Sequence, residues 1–163
     1  MEKIKAQILD ILREDCRTPL EQIAVMAGTT LKKVSEAINE MEREKIILHY
    51  LPVINWDKTQ REYVEAMIEV NVTPQRDMGF DAVANRIYQF DEVKSLYLMS
   101  GTYDLLVLVE APSLKELAHF VSEKLSPLDT VTGTRTSFVL KRYKQDGVIF
   151  VSETPDQRMA VSP

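Results

Sequence analysis

One cysteine, Cys16, in 163 residues excludes an internal disulfide framework. Two histidines, His49 and His119, are too few for a histidine-based metal centre, so neither metal nor cofactor is expected. The five glycines are scattered and offer no phosphate-cradling loop. No serine or cysteine stands in an elbow context and no pair of carboxylates is set apart, so the chain is not expected to be an enzyme. Cys16 ends a helix and reads as a small packed or half-exposed thiol. No window reaches the apolar length of a membrane span, and Met1-Glu2-Lys3-Ile4 opens no basic-then-apolar leader; the expected compartment is the cytoplasm. A net charge of −5 denies the chain the overall basic field of a nonspecific nucleic-acid binder. Any DNA binding has to be local and assisted by oligomerisation.

What is present suffices for a core. With 45% hydrophobic residues the chain can build one ordinary domain or two small ones. Ile4, Ile8, Ile11 and Leu12 recur at helical spacing and stop before Asp15-Cys16-Arg17-Thr18-Pro19. Thr18 reads as the N-cap of a second helix, with Pro19 at its first position and Glu21 placed for a capping box. Leu20, Ile23, Ala24 and Ala27 form its apolar face, and Gly28 stops it. After Gly28-Thr29-Thr30 a third helix is expected over residues 31–44, with Thr30 as cap and Leu31, Val34, Ile38 and Met41 inward. Two helices joined by a short glycine-containing turn are a helix-turn-helix. Residues 46–54, rich in β-branched and aromatic side chains and interrupted by Pro52, read as a winged hairpin or an interdomain strand.

The third helix carries the DNA question. Lys32, Lys33, Glu36, Asn39, Glu40 and Arg43 are the residues its apolar stripe leaves outward. Amines contact phosphates or guanine edges, and an asparagine pairs bidentately with adenine. Thr29 and Thr30 in the turn, with Lys32, Lys33, Asn39 and Arg43, are therefore the candidate DNA contacts. Glu36 and Glu40 repel phosphate; the same face also reads as a solvated helix in which Glu36 pairs with Lys32 or Lys33 and Glu40 with Arg43.

Around residues 55–61, which include Trp56, the composition turns polar, and the pattern beyond changes from helical to strand-like. Val64, Ala66, Ile68, Val70 and Val72 alternate with Tyr63, Glu65, Met67, Glu69 and Asn71 in one half-buried strand. A loop over residues 73–79 precedes a helix over 81–89 with Val83, Ala84 and Ile87 inward. Strands follow over 93–99 and 105–109, the second apolar on both faces as a central strand requires. Ser113 and Glu116 form a capping box for a helix lined by Leu114, Leu117, Ala118, Val121 and Leu125, and residues 131–140 make the last strand. The order βαββαβ is the ferredoxin-like arrangement, with both helices on one sheet face and the other face free for a partner, most simply a second copy.

Ser100-Gly101-Thr102-Tyr103-Asp104 joins two of these strands. Glycine permits φ > 0 and close approach of backbone N–H groups, while a carboxylate at a strand mouth meets an ammonium. That suits a small zwitterion such as an amino acid. The same five residues also read as a plain tight turn between antiparallel strands.

Over residues 1–145 the chain resembles the Lrp/AsnC, or feast/famine, transcription regulators. Ile8-Leu9-Asp10-Ile11-Leu12 with Asp15-Cys16-Arg17 resembles the family's opening helix and its Asp-x-Arg ending. Gly101-Thr102-Tyr103-Asp104 with Leu105-Leu106 resembles its Gly-x-Tyr-Asp turn, and Val131, Thr134, Thr136, Val139-Leu140 and Lys144 fit its last strand. The resemblance implies an α+β chain: residues 1–56 a winged helix-turn-helix with an interdomain hairpin, 57–145 a βαββαβ ligand-sensing and oligomerisation domain, and 146–163 a tail. It implies dimers held by the effector domains, assembled further into tetramers or octamers on double-stranded DNA. It also implies an amino acid bound between dimers by Gly101, Tyr103 and Asp104, with Thr134 and Thr136 from a facing subunit.

Three departures stand out. Lys45 follows the third helix where the family has glycine, a cost of about 1 kcal/mol if the backbone there is left-handed. Glu36 and Glu40 dilute a helix that is arginine-rich in the family. The chain also runs past the family pattern, where Val148-Ile149-Phe150-Val151 is expected to add an edge strand or clasp a neighbour and 153–163 to be loose. The competing function is a small-molecule sensor or protein-interaction module that does not bind DNA.

Overall fold

The computed structural model describes residues 2–73 and 79–150. The chain divides into two compact units, Met1–Pro52 and Val53–Pro163.

The first unit is three helices, α1 (Glu2–Glu14), α2 (Leu20–Met26) and α3 (Leu31–Arg43). Their apolar stripes meet in a core of Ile8, Ile23, Ala24, Ala27, Val34, Ile38 and Met41. Leu20 and Leu31, expected inside, are 38% and 43% exposed. Each opens its helix, so part of its surroundings is the preceding turn. Thr18 is not the cap of α2. That place falls to Pro19, which makes no side-chain cap bond, and the Thr18 hydroxyl donates to the Asp15 carbonyl at 2.8 Å. Proline forces the residue before it into an extended backbone, which ties Thr18 to the turn behind it. Asp15 organises that turn by accepting from the Arg17 N–H at 2.9 Å. Gly28 stops α2 at φ 62°, and the Thr30 hydroxyl caps α3 by accepting from the Lys33 N–H at 3.4 Å.

The end of α3 is a Schellman motif. The Ile46 N–H donates to the Met41 carbonyl at 2.8 Å and the Lys45 N–H to the Glu42 carbonyl at 3.2 Å, with Lys45 at φ 61°. The strand or hairpin expected over residues 46–54 does not form. A strand needs a ladder, and no described segment of this chain pairs with it; Leu48 and Leu51 stand 78% and 75% exposed.

The second unit opens with a short 3₁₀ turn (Trp56–Lys58), followed by β1 (Val64–Val72), α4 (Gly79–Ile87), β2 (Val93–Leu98), β3 (Leu105–Ala111), α5 (Leu114–Phe120) and β4 (Val131–Phe138). The sheet is antiparallel in the order β2-β3-β1-β4, as βαββαβ connectivity requires. Ala66, Ile68, Val70, Leu105, Val107 and Val109 face Val83, Ile87, Leu117, Phe120 and Leu125 across the core. Of the expected loop, residues 74–78 lie outside the described residues.

Two further expectations change here. Leu114 and Ala118 are exposed, and Phe120 is buried in their place. A π-turn (Val121–Leu125) extends α5, its Ser126 N–H reaching the Val121 carbonyl at 2.9 Å. Its wider turn aligns residues five apart, which puts Phe120 and Leu125 on one face. The last strand stops at Phe138, leaving Leu140 94% exposed. Beyond it β5 (Lys144–Gln145) and β6 (Val148–Ile149) pair, among the described residues, only with each other. Asp146 and Gly147 turn this hairpin with φ 48° and 84°, the left-handed pair that matches strand twist. The expected edge strand is thus a separate hairpin. Residues 151–163 lie outside the described residues.

Candidate DNA-reading helix and effector turn

Residues on α3 advance about 100° each around the axis. With Val34, Ile38 and Met41 buried, Lys32, Glu36, Asn39 and Arg43 fall on the opposite, exposed arc. Lys33 is exposed toward one flank, Thr30 caps the helix and Thr29 is half-buried in the turn. The two carboxylates on this helix differ. Glu36 stays on the outer arc, 3.9 Å from the Lys32 ammonium. Glu40 does not pair with Arg43; it turns to α1 and meets the Lys5 ammonium at 3.0 Å, and that hydrogen bond holds its carboxyl below the usual range. The outer arc therefore carries one carboxylate against Lys32, Arg43 and Asn39. Lys5, which diverts Glu40, lies on another helix and gave no signal in the pattern of α3 itself.

Glu42, on the other flank, accepts from the Tyr50 hydroxyl at 2.9 Å. Burial first, and then this bond to a carboxylate, push the Tyr50 phenol up to about 12.

In the second unit Gly101, Tyr103 and Asp104 lie together between β2 and β3. The Asp104 carboxylate accepts from the Val72 N–H at 2.8 Å, and the Met99 N–H donates to the Asp104 carbonyl at 2.8 Å. Gly101 does not use the left-handed backbone expected of it, and a methyl added there would meet nothing within 4 Å. Thr134 and Thr136 pair with Val70 and Ile68 on the far side of β1. Two strand spacings, about 10 Å, separate β4 from β3, so one subunit does not bring the threonines to Asp104. Thr134 instead sits 3.5 Å from the Ser126 hydroxyl.

The sheet face turned from the helices is covered at its Glu65 end by Arg142 and is open beyond it. Register places Met67, Leu108 and Ser137 in one row and Tyr97, Leu106, Glu69 and Arg135 in the next, with Met67 42% and Tyr97 51% exposed. A cavity of about 320 Å³ lies among Arg61, Glu92 and Glu110, one of about 360 Å³ between α4 and β2, and one of about 170 Å³ beside Trp56. None of these three is lined by residues 101–104 or by the two threonines. Around Trp56 lies a cluster that sequence reading missed. Arg61 stacks on Trp56 at 4.5 Å, and Arg142 bonds Glu65 and the Tyr63 hydroxyl and lies 5.3 Å from the Phe150 ring. Only Trp56, at the composition change, hinted at it. His49, His119 and Cys16 are exposed, and no group of metal-ligating side chains forms among the described residues. No described helix is long and apolar enough to cross a membrane.

A family model for the Lrp/AsnC ligand binding domain matches residues 65–149, and one for a winged helix-turn-helix DNA-binding domain matches residues 1–47. The HTH-type transcriptional regulator YugG of Bacillus subtilis is 50% identical over 160 residues, covering 98% of this chain and 96% of that protein. The HTH-type transcriptional regulator LrpA of Pyrococcus abyssi is 31% identical over 137 residues, covering 84% and 94%. Among solved structures, E. coli AsnC aligns with a TM-score of 0.68 at 19% identity, covering 89% of this chain and 95% of that one. A transcriptional regulator of Neisseria meningitidis, in complex with L-Met, aligns at 0.71 with 21% identity, covering 89% and 93%.

Proposed function

This chain belongs to the Lrp/AsnC family of DNA-binding transcription regulators, and from that premise we propose that an amino acid controls its assembly and thereby its affinity for DNA. Two copies present their α3 helices to successive major grooves of a near-palindromic site, in the cytoplasm. Lys32, Lys33 and Arg43 meet phosphates or guanines, Asn39 reads a base, and Thr29 and Thr30 seat the helix start on the backbone. The second copy covers the open part of the sheet face, where Met67, Tyr97, Leu106 and Leu108 offer an apolar centre rimmed by the Glu69–Arg135 pair at 3.6 Å. Dimers assemble further, and the effector lies between them at Gly101, Tyr103 and Asp104, completed by Thr134 and Thr136 of a facing subunit.

Gly101 is the observation that carries the effector reading. It has an ordinary backbone and open space where a side chain would go, so the single chain has no use for a glycine there. Close approach of a guest to the backbone gives it one. The L-Met complex of a structural neighbour supports an amino acid as the class of guest. The reading without DNA rested on the two carboxylates of α3, and Glu40 is spent on Lys5.

The test has two arms. A promoter-sized duplex titrated at two salt concentrations should show affinity falling steeply with salt; a flat response would remove DNA from the reading. A thermal-shift series over the twenty amino acids should raise Tm for one or a few, since a ligand that binds only the native state stabilises it by mass action. Gly101→Ala should abolish that shift and leave the unliganded Tm in place. A variant that melts early but still responds would place the effector elsewhere.

A further inference from the structure

Resting on the reading that a second copy covers the open sheet face, we propose that the β5–β6 hairpin clasps that copy through Tyr143, Val148 and Ile149. Each strand of the hairpin is two residues long and pairs, among the described residues, only with the other. A two-stranded hairpin is marginal on its own and needs a surface to pack on. Its turn is nevertheless well specified, by the left-handed Asp146 and Gly147 and by the Phe150 N–H, which donates to the Tyr143 carbonyl at 2.9 Å.

Pairing of Gln145 with Val148 sets Tyr143, Val148 and Phe150 on one side of the hairpin, and pairing of Lys144 with Ile149 sets Ile149 on the other. Phe150 is half-buried, its ring 5.3 Å from the Arg142 guanidinium. The rest are not covered: Tyr143, Val148 and Ile149 are 64%, 49% and 70% exposed, so about half or more of each stays open in the single chain. With Leu140 just before them they line an exposed apolar stretch, and such surface marks an interaction site.

The occupant follows from where the hairpin is tied down. Arg142, just before β5, bonds Glu65 and the Tyr63 hydroxyl. Glu65 lies on the face of β1 turned from the helices, since Ala66, Ile68 and Val70 point into the core. The hairpin therefore starts at the rim of the open sheet face, and a copy seated on that face reaches it. Four strands about 4.8 Å apart, over the roughly 17 Å of β1 beyond the Arg142 contact, give a footprint of roughly 330 Å². Even doubled for the relief of its side chains, that is below the roughly 800 Å² each partner buries in a standard interface. A twofold pair brings in two hairpins at once, one from each copy, and they supply the missing area.

Dimer dissociation of the full chain is read by sedimentation and, for a dimer too tight to dilute apart, by the concentration dependence of urea unfolding. Ile149→Asp and Ile149→Lys should each weaken the dimer about tenfold, because either charge loses its water against the second copy. Circular dichroism checks each fold. Opposite effects of the two variants would trace to net charge and overturn the clasp. An unchanged dimer in both folded variants would overturn it too, and so would an unchanged dimer with a lower Tm, which makes the hairpin a support for its own subunit. Should neither variant fold, hydrogen exchange of the unaltered chain at concentrations either side of the dimer constant decides. The amides of residues 143–150 should exchange more slowly at the higher concentration, and equal exchange would overturn the clasp. Met67→Asp, on the sheet face itself, separates the two readings. Weakening by Met67→Asp alone keeps the sheet-face dimer and removes the clasp; weakening by the Ile149 variants alone keeps the clasp and removes the sheet-face seat; an unaltered chain that is monomeric throughout removes both.

Discussion

The backbone N–H of Val72 ends β1 on the carboxylate of Asp104, 2.8 Å away, and the Asp104 N–H donates in turn to the Val70 carbonyl at 3.1 Å. A side chain at the entry of β3 thus completes the ladder of its neighbour. Its other oxygen, Oδ1, takes no part in that bond, and under the proposed function it is the atom offered to the effector.

From this pair comes the first prediction. Asp104→Ala strands a half-buried N–H and should cost about 1–3 kcal/mol of stability, measured by urea denaturation. Asparagine keeps an acceptor in place, so Asp104→Asn should cost less than about 1 kcal/mol while still lowering effector affinity. Equal losses in the two variants would mean that the carboxylate charge, not the accepted N–H, is what holds the turn.

Lys45 occupies the left-handed position of the Schellman motif at φ 61°. Lys45→Gly should therefore raise stability by roughly 0.5–1 kcal/mol, the relieved strain exceeding the entropy that glycine adds to the unfolded chain. Thermal melts of the two proteins decide it, and a lower Tm in the variant would refute the account.

The Tyr50 phenol, raised to about 12 by burial and by Glu42, links stability to alkaline pH. A phenol whose folded value lies above its unfolded value contributes fully below about pH 10, and the contribution is lost as pH climbs to about 12. Stability should fall across that window, and fall less in Tyr50→Phe and in Glu42→Gln. Parallel pH profiles for all three proteins would show that the bond is not made in solution.

On α3, Asn39→Ala should cost about 1–3 kcal/mol on the preferred sequence and little on random DNA, whereas Lys33→Ala should weaken all sequences and lower the salt slope by about one. Glu36→Gln frees Lys32 from its 3.9 Å partner and should tighten binding at low salt. Fluorescence anisotropy on specific and random duplexes distinguishes these outcomes. Insensitivity of both to Asn39 and Lys33 would remove α3 as the reading element.

Local chemistry determined much of this protein from its sequence. The 3.6-residue spacing of Val34, Ile38 and Met41 and the strict alternation of Val64 to Val72 each name the buried face, because a side chain's direction depends only on its own backbone period. The caps at Thr30 and Ser113 and the strained Lys45 follow for the same reason: each needs only atoms within a few residues. The remainder depended on partners distant in the chain. Glu40 was assigned to the wrong cation because Lys5 reaches it from another helix, and Asp104 gained its structural role from a strand 32 residues away. Phe120 takes the place of Ala118 in the core because it lies three residues from Leu117 on one helical face, and the π-turn carries that face on to Leu125. Residues 46–54 have strand composition but no strand, since a ladder exists only where a second backbone lies alongside. The cavity beside Trp56 joins residues 55–65 to residues 139–150, an adjacency that only the folded sheet creates.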